Sequence, residues 1–372
     1  MTANSGAPPS ATDGSVRRAT DGAVRRTTAI SRSRRTTGLL AALLLLAAGG
    51  CANSYQPPPV ASPRPAGAVE PAPTPSPVNP PDCDARRSLL PDPTAPARYV
   101  QQGYIRAGVD QTMTRMTYRH PATGEFQGFD IDLLYEIAKA LFPGKDPKET
   151  LRFVVVTSAE RQARLRDGTV DIVADSMTAT CARATEVAFS TDYLDSGQTV
   201  LVRGNSPYQG IGDLGGKRVC AATGTTSLEH TRARPEKPIP VSVPNWTDCL
   251  VMLQQRQVEA ISTDHNVLLG LRDLDPTTRM VTQPPDWRPP GDTSCDWHAE
   301  PKSACTWFSD EPHAIATRLD DTALLRFVNH VLEQIRQDGR WARMHQKWLP
   351  DHPDAGPPPA RYGPNPSWPP GR

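Results

Sequence analysis

Residues 128–141 read Gly-Phe-Asp-Ile-Asp-Leu-Leu-Tyr-Glu-Ile-Ala-Lys-Ala-Leu, and they follow a short apolar segment at 104–110. The spacing of apolar residues in 128–141 is that of one face of an amphipathic helix, with Asp130 as its expected N-cap. The apolar positions are Ile131, Leu134, Ile137, Ala138 and Leu141. A strand followed directly by such a helix predicts the first unit of an α/β fold.

The same alternation continues along the chain. The sequence predicts further strands at 151–156 (buried, from its β-branched residues), 170–174, 219–221 and 259–262. It predicts further helices at 159–167, 227–232, 248–255 and 322–338. Ligands of layered α/β folds bind at the carboxyl ends of strands. The candidate binding positions are therefore the residues after strands: Asp110, Ser176, Gly224 and Asp264.

Proline divides the 372 residues into a globular body and two arms. Of 40 prolines, two fall in 1–51, 14 in 52–97 and nine in 350–372, which leaves 15 for 98–349. That body is large enough to bury a core. A net charge of +1 with 22% charged residues gives no indication of nucleic-acid binding. The longest apolar run is too short for an ordinary membrane span, which excludes a polytopic transporter.

The N-terminus has the pattern of a lipoprotein signal peptide over residues 1–50. Seven Arg and two Asp precede an apolar run at 39–48, which Gly49-Gly50-Cys51 follows. This ending resembles a bacterial lipobox, in which the Cys thiol is lipidated, although Ala48 stands where Leu is usual. Simple secretion with Cys51 as a spare thiol is the alternative. Without this segment the chain carries a net charge of −4.

Residues 51–97 are predicted to be a Pro-rich tether. Polyproline conformations extend about 3.1 Å per residue, so the tether would hold the body away from a membrane. A filler without a spacing role is the alternative, and the Pro-rich tail at 351–372 has the same interpretation.

Cysteine usage agrees with export. Six Cys follow Cys51, and an even number in an exported chain indicates disulfides with 15 arrangements. Cys295 and Cys305 flank a short polar loop and form the natural local pair. No CxxC spacing occurs, and no metal site is expected.

Seven segments together resemble a known family. They are 128–133 (GFDIDL, similar to GFDxDL), 165–172 (similar to LxxGxVDI), 176–183 (SMTATCAR, similar to GMTITPER), 189–193 (similar to FSxPY, with Asp192 replacing Pro), 213–219 (similar to DLKGKKV), 224–227 (GTTS) and 338–349 (similar to DGTY…KW). In this order, over about 100–350, they resemble solute-binding protein family 3, the polar amino-acid-binding proteins of ABC uptake systems. The Cys positions resemble those of actinobacterial glutamine/glutamate-binding lipoproteins. The departure is an insertion at 286–306.

The resemblance implies a two-lobe, periplasmic-binding-protein-like fold of type II. Two crossovers form a hinge, and the ligand cleft lies between the lobes. On that template residues 98–203 and 304–350 form lobe one and residues 204–303 form lobe two. The resemblance also implies disulfides Cys83–Cys181 and Cys220–Cys249.

The resemblance further implies the site that holds the α-groups of an amino acid. Arg183 matches the family's carboxylate-binding Arg, a residue type that binds carboxylates in bidentate fashion. Asp264 matches the Asp that meets the α-ammonium. The matching N–H and hydroxyl donors are Thr178, Gly224, Thr225 and Thr226. A surface ion pair is the alternative for Arg183, and a helix N-cap is the alternative for Asp264.

The side-chain preference depends on two further residues. Arg161 ends a segment, 157–161, that resembles glutamate/aspartate binders, whose Arg meets the side-chain carboxylate of the ligand. An exposed helix Arg is the alternative. Asp110 has the opposite effect, because a carboxylate beside an acidic ligand is unfavourable. We expect glutamate or aspartate, with glutamine and asparagine tolerated.

The expected function is extracytoplasmic capture of this amino acid and delivery to an ABC permease. The protein would be held at the outer face of the cytoplasmic membrane by lipidated Cys51. The alternative is a sensor lipoprotein that feeds a membrane kinase pathway. His265, Glu160 and Asp110 are acid/base candidates by position, but no nucleophile–base pair is recognisable. Neither catalysis nor a cofactor is expected.

Overall fold

The computed structural model describes residues 83–281, 307–352 and 356–363. The predicted signal peptide, Cys51, the Cys295–Cys305 pair and the 286–306 insertion lie outside the described residues. Across these three ranges no helix is long and apolar enough to cross a bilayer.

The strands and helices alternate as the sequence predicts. In chain order the strands are β1 (Arg87–Ser88), β2 (Ile105–Val109), β3 (Thr112–Met113), β4 (Thr117–Arg119), β5 (Phe126–Gln127), β6 (Leu151–Val155), β7 (Ile172–Val173), β8 (Val187–Phe189), β9 (Gln198–Arg203), β10 (Arg218–Ala222), β11 (Ile239–Val243), β12 (Ala260–Asp264), β13 (Thr278–Val281), β14 (Ala316–Arg318) and β15 (Arg361–Tyr362). The α-helices are α1 (Ala97–Gln102), α2 (Phe129–Leu141), α3 (Pro147–Thr150), α4 (Arg161–Arg166), α5 (Cys181–Ala184), α6 (Thr226–Ala233), α7 (Trp246–Gln254), α8 (His265–Leu274), α9 (Thr322–Gln337) and α10 (Arg340–Trp348). A 3₁₀ turn covers Ile211–Leu214.

The sheet of lobe one has the order β6-β2-β7-β14-β8. Strands β6, β2 and β7 are parallel, while β14 runs antiparallel to both β7 and β8. Helices α2, α9 and α10 bury their apolar faces in the same core, where Phe129 packs edge-on against Trp341. Strand β14 returns to this sheet from the far end of the chain, so lobe one is discontinuous in sequence.

The sheet of lobe two has the order β11-β10-β12-β9-β13. Strand β9 runs antiparallel to β12 and β13, with Leu201 opposite Ile261 and Met280. The predicted boundary after residue 203 is therefore wrong, because β9 belongs to lobe two. On the return path Phe308 still packs in the core of lobe two and donates its N–H to Gln198 O. The two crossovers thus lie just before Gln198 and just after Phe308.

Two local predictions fail because of long-range contacts. Asp130 is not the N-cap of α2, a position held by Gly128. Gly128 has φ 137°, and a Cβ there would lie 2.0 Å from Met116 O. Asp130 instead accepts the Ser176 N–H at 2.7 Å. Strand β6 is not fully buried, since it is a sheet edge and Val155 is 46% exposed.

Both long-range disulfides implied by the resemblance are present. Cys83 pairs with Cys181 and Cys220 pairs with Cys249, with Cα–Cα distances of 6.0 and 5.6 Å. The first fastens the N-terminal arm to lobe one. The second joins β10 to α7 inside lobe two.

The predicted tether ends earlier than residue 97. Arg86 forms ion pairs with Asp192, Asp195 and Asp310, and Ser88 Oγ donates to Phe189 O at 2.7 Å. Asp192, which stands where the family pattern has Pro, is thus used to dock the arm. Part of the Pro-rich tail is also docked, because β15 pairs in parallel with β1.

Candidate functional site

A small cavity lies where the strand ends of the two lobes face each other. Lobe one contributes Met113, Ser158, Arg161, Asp175, Ser176 and Thr178. Lobe two contributes Thr225, Thr226, Ser227, Trp246, Thr263, Asp264 and Val267.

Six of the nine predicted site residues line this cavity. They are Arg161, Ser176, Thr178, Thr225, Thr226 and Asp264. Arg183, Gly224 and Asp110 lie behind the lining. Of the four strand-end candidates, Ser176 and Asp264 line the cavity, while Asp110 and Gly224 do not.

Arg183 lies between the lobes. Its Nη1 donates to Thr178 O at 2.8 Å and its Nη2 donates to Gly224 O at 3.2 Å. Burial and the neighbouring Arg161 charge lower the pKa of Arg183 to about 10, so it stays cationic at neutral pH. It is 8% exposed, which excludes the surface ion pair as its role.

Gly224 of lobe two lies against the backbone of Ala159 in lobe one. It adopts φ +77°, and a Cβ at this position would lie 2.5 Å from Ala159 Cα. Only glycine combines this conformation with this contact. The structure therefore requires glycine in the first position of the 224–227 turn.

Asp264 presents its carboxylate at the lobe-two side of the cavity. His313 Nε2 lies 2.9 Å from Asp264 Oδ2, and Ser227 Oγ lies 3.4 Å from Oδ1. Asp264 occupies the N-cap position of α8, but its side chain makes no capping hydrogen bond. Burial and the nearby Glu311 charge raise the pKa of Asp264.

Glu311 is a buried residue of the second crossover that the sequence did not reveal. Its carboxylate accepts from Thr178 Oγ1 at 2.8 Å, from Thr226 Oγ1 at 2.7 Å and from Ser309 Oγ at 2.7 Å, and it lies 3.0 Å from His230 Nδ1. Burial opposes ionisation, but His230 and the hydroxyls outweigh it and lower the pKa of Glu311 to about 2. Glu311 thus connects both lobes beside the cavity.

Arg161 lines the opposite, lobe-one end of the cavity. It is 3% exposed, so the exposed-helix alternative is wrong. Its Nε donates to Ser158 O at 3.1 Å and its Nη1 donates to Asp175 O at 2.8 Å. Asp175 Oδ2 lies 3.6 Å from Nη1. Asp175 was not singled out in the sequence, although it directly precedes the 176–183 motif.

Asp110 supports this end from behind the lining. Its carboxylate accepts the Thr112 N–H and hydroxyl, and its own N–H donates to Asp175 Oδ1 at 2.8 Å. Burial raises the pKa of Asp110. Asp110 therefore shapes the cavity through Asp175.

The acid/base candidates His265 and Glu160 are used elsewhere. His265 packs against Trp307 and His352, with ring centroids 6.1 and 5.5 Å apart. Glu160 accepts the Thr157 N–H at 3.0 Å. Within the part of the chain that the structure describes, no cluster of His, Cys, Asp or Glu is arranged to hold a metal ion.

Comparison with known proteins agrees with this architecture. The family described as bacterial extracellular solute-binding proteins, family 3, matches residues 105–351. The ABC transporter glutamine-binding protein GlnH of Bacillus subtilis is 30% identical over 236 residues, 63% of this chain and 77% of GlnH. The glutamate-binding protein GluB of Corynebacterium glutamicum is 22% identical over 249 residues, 66% of this chain and 78% of GluB.

A solved structure matches over the same region. The crystal structure of a mutant ArgBP from T. maritima aligns with a TM-score of 0.58 at 25% identity, covering 69% of this chain and 100% of that chain. The type II two-lobe fold expected from the motifs is thereby confirmed. The family match covers well over half of the chain, and its relatives are amino-acid-binding proteins of ABC transporters. This chain belongs to the bacterial extracellular solute-binding proteins, family 3.

Proposed function

We propose that this protein is a lipid-anchored extracytoplasmic receptor that captures a polar amino acid of the glutamate/glutamine class and delivers it to an ABC permease. The observation that carries this proposal is the cavity itself. Its lining comes from both lobes and combines the Asp264 carboxylate on one side with the Arg161 guanidinium on the other. Charged groups of both signs around one small cavity suit a zwitterion.

The α-groups of the ligand have matching partners near Asp264. The Asp264 carboxylate would accept from the α-ammonium, and Arg183 with the N–H groups of Thr178 and Thr226 would donate to the α-carboxylate. Arg183 already contacts Thr178 O and Gly224 O, one in each lobe. Ligand binding in this position would therefore favour the closed arrangement of the lobes.

Capture and delivery require no catalysis. The relatives are named as binding proteins of ABC transporters. Lipidation of Cys51 would keep the protein beside its permease, with the Pro-rich segment as a spacer. Arg161 is buried at the cavity, which supports a ligand with a polar side chain.

The test is thermal unfolding of residues 52–372 in the presence of each of the twenty amino acids. A ligand at 100 times its Kd stabilises the folded state by about 2.7 kcal/mol, which shifts Tm by several degrees at about 2–4 °C per kcal/mol. We expect a shift with glutamine or glutamate that is absent in Asp264→Asn. Asp213→Asn, an exposed acid of lobe two, is the matched control. No shift with any amino acid contradicts the proposal.

Delivery is tested in cells of the source strain. Deleting the gene should abolish uptake of the labelled amino acid. A gene copy that carries Cys51→Ala should restore less uptake than a wild-type copy, because the variant would lack its lipid anchor. Normal uptake in the deletion strain contradicts delivery to a permease and favours the sensor role.

A further inference from the structure

One carboxylate oxygen at the Arg161 end of the cavity lacks a hydrogen-bond donor. Asp175 is fully buried, and its Oδ1 accepts from Asp110 N at 2.8 Å and from Thr117 Oγ1 at 3.3 Å. Its Oδ2 accepts no hydrogen bond from the described residues and lies 3.6 Å from Arg161 Nη1. A buried acceptor without a donor is costly, and Asp175 is part of the cavity lining.

Arg161 has unused donors beside this oxygen. Its hydrogen bonds within the described residues use Nε and Nη1, both to backbone carbonyls, and its Nη2 donates to none of their atoms. A guanidinium carries five N–H donors in a fixed plane. The end of the cavity therefore offers a donor and an acceptor side by side.

The charge around this end is negative when its acids are ionised. Arg161 is the cation that faces Asp175, while Asp110 and Asp130 bring two further buried carboxylates close to it. Asp130 accepts the Ser176 N–H through Oδ2 at 2.7 Å. An ionised ligand carboxylate would add another anion to this group.

We propose that Asp175, paired with Arg161, makes the cleft select a side-chain carboxamide over an ionised carboxylate. A carboxamide has an acceptor oxygen for Arg161 and N–H donors for Asp175 Oδ2, whereas a carboxylate only accepts. This inference rests on the proposed amino-acid binding and names the side chain it favours. It reverses the preference for glutamate or aspartate that Arg161 alone indicates.

The same arrangement makes acidic ligands dependent on pH. Once protonated, Asp175 donates an O–H and can hold a carboxylate. The groups that face it are Arg161 of α4, Asp110 after β2, Asp130 of α2 and Tyr193. Burial, opposed by Arg161 and reinforced by the two acids, raises the pKa of Asp175. Glutamate affinity should therefore rise as pH falls, while glutamine affinity changes little.

The experiment is isothermal titration of the wild type, Asp175→Asn and Asp171→Asn with glutamine and glutamate at pH 7.5. Asp171 is an equally buried lobe-one acid that pairs with Arg106 away from the cavity. The wild type should bind glutamine at least tenfold more tightly than glutamate. Asp175→Asn should remove that ratio by improving glutamate binding about tenfold or more, and Asp171→Asn should keep it.

Two results would overturn the inference while leaving amino-acid binding intact. They are a wild type that binds glutamate as tightly as glutamine at pH 7.5, and an Asp175→Asn protein with an unchanged ratio. If Asp175→Asn fails to fold, wild-type titrations from pH 8 to pH 5 replace it, and a glutamate-to-glutamine ratio that does not change with pH overturns the inference. Absence of binding by any amino acid instead defeats the proposed function itself.

Discussion

Replacing Gly224 with alanine should weaken ligand binding far more than it weakens the fold of either lobe. The new Cβ would lie 2.5 Å from Ala159 Cα and 3.0 Å from both Ala159 N and Ala159 Cβ. Because backbone atoms form much of this contact, rotamer changes cannot relieve it. The clash exists only where the lobes meet, so it penalises the closed state alone.

The magnitude separates into two contributions. Alanine at φ +77° costs about 1–2 kcal/mol in any state of the protein. Overpacking against Ala159 costs about a further 1–3 kcal/mol in the closed state. At 1.4 kcal/mol per tenfold, the second contribution corresponds to about a 5- to 150-fold loss of affinity.

Gly216 supplies a matched control within the same lobe. It also has a positive φ, +67°, but a Cβ there meets no atom within 4 Å. We expect Gly216→Ala and Gly224→Ala to lower Tm of the unliganded protein similarly, whereas only Gly224→Ala raises the Kd measured by isothermal titration. Equal affinities for the two variants would refute the interlobe contact as the cause.

Three further predictions concern stability. The two disulfides span 98 and 29 residues, so loop-closure entropy predicts different losses of stability when each is removed. The free energy of unfolding should fall by about 4.7 kcal/mol in Cys83→Ser/Cys181→Ser and by about 3.6 kcal/mol in Cys220→Ser/Cys249→Ser. Urea unfolding that ranks the two variants in the opposite order contradicts this prediction. Burial lowers the pKa of His265 to about 4, below its value of about 6.5 in the unfolded chain. The unfolded chain therefore binds more protons between these two pH values, and this residue should lower the free energy of unfolding by about 3 kcal/mol as pH drops through that window. Denaturation at several pH values should show a shallower pH dependence of the unfolding free energy in His265→Gln than in the wild type, and an identical slope would argue against this contribution. Trp341 is fully buried and donates Nε1–H to Tyr193 O at 2.7 Å, so Trp341→Ala should cost about 3–5 kcal/mol and Trp341→Phe clearly less in the same urea assay.

Local periodicity was sufficient for most helices and strands. Helices α2, α7 and α9 were predicted within a few residues because each buries a regular apolar face. The lobe to which β9 belongs could not be predicted in this way. That assignment depends on antiparallel pairing with β12 and β13, residues about 60 and 80 positions later.

The same limit applies to the polar residues of the site. Asp130 has the local signature of a cap, but its partner is Ser176, 46 positions away. Glu311 lies 133 positions from Thr178 and 85 from Thr226, and no spacing rule connects them. Sequence motifs predicted the strand-end residues that are proposed to meet the α-groups, because every amino-acid ligand shares those groups.

Side-chain selectivity depends on neighbours that fold behind the motifs. Arg161 by itself indicates a carboxylate ligand, since guanidinium and carboxylate pair in a bidentate geometry. Arg161 beside a buried Asp175 indicates a carboxamide, because half of the site then requires a donor from the ligand. The two residues are 14 positions apart on different elements, so their pairing is a property of the fold. The chemistry of a binding arginine is therefore determined jointly with the acid that packs against it, and the ratio of glutamine to glutamate affinity measures that pairing directly.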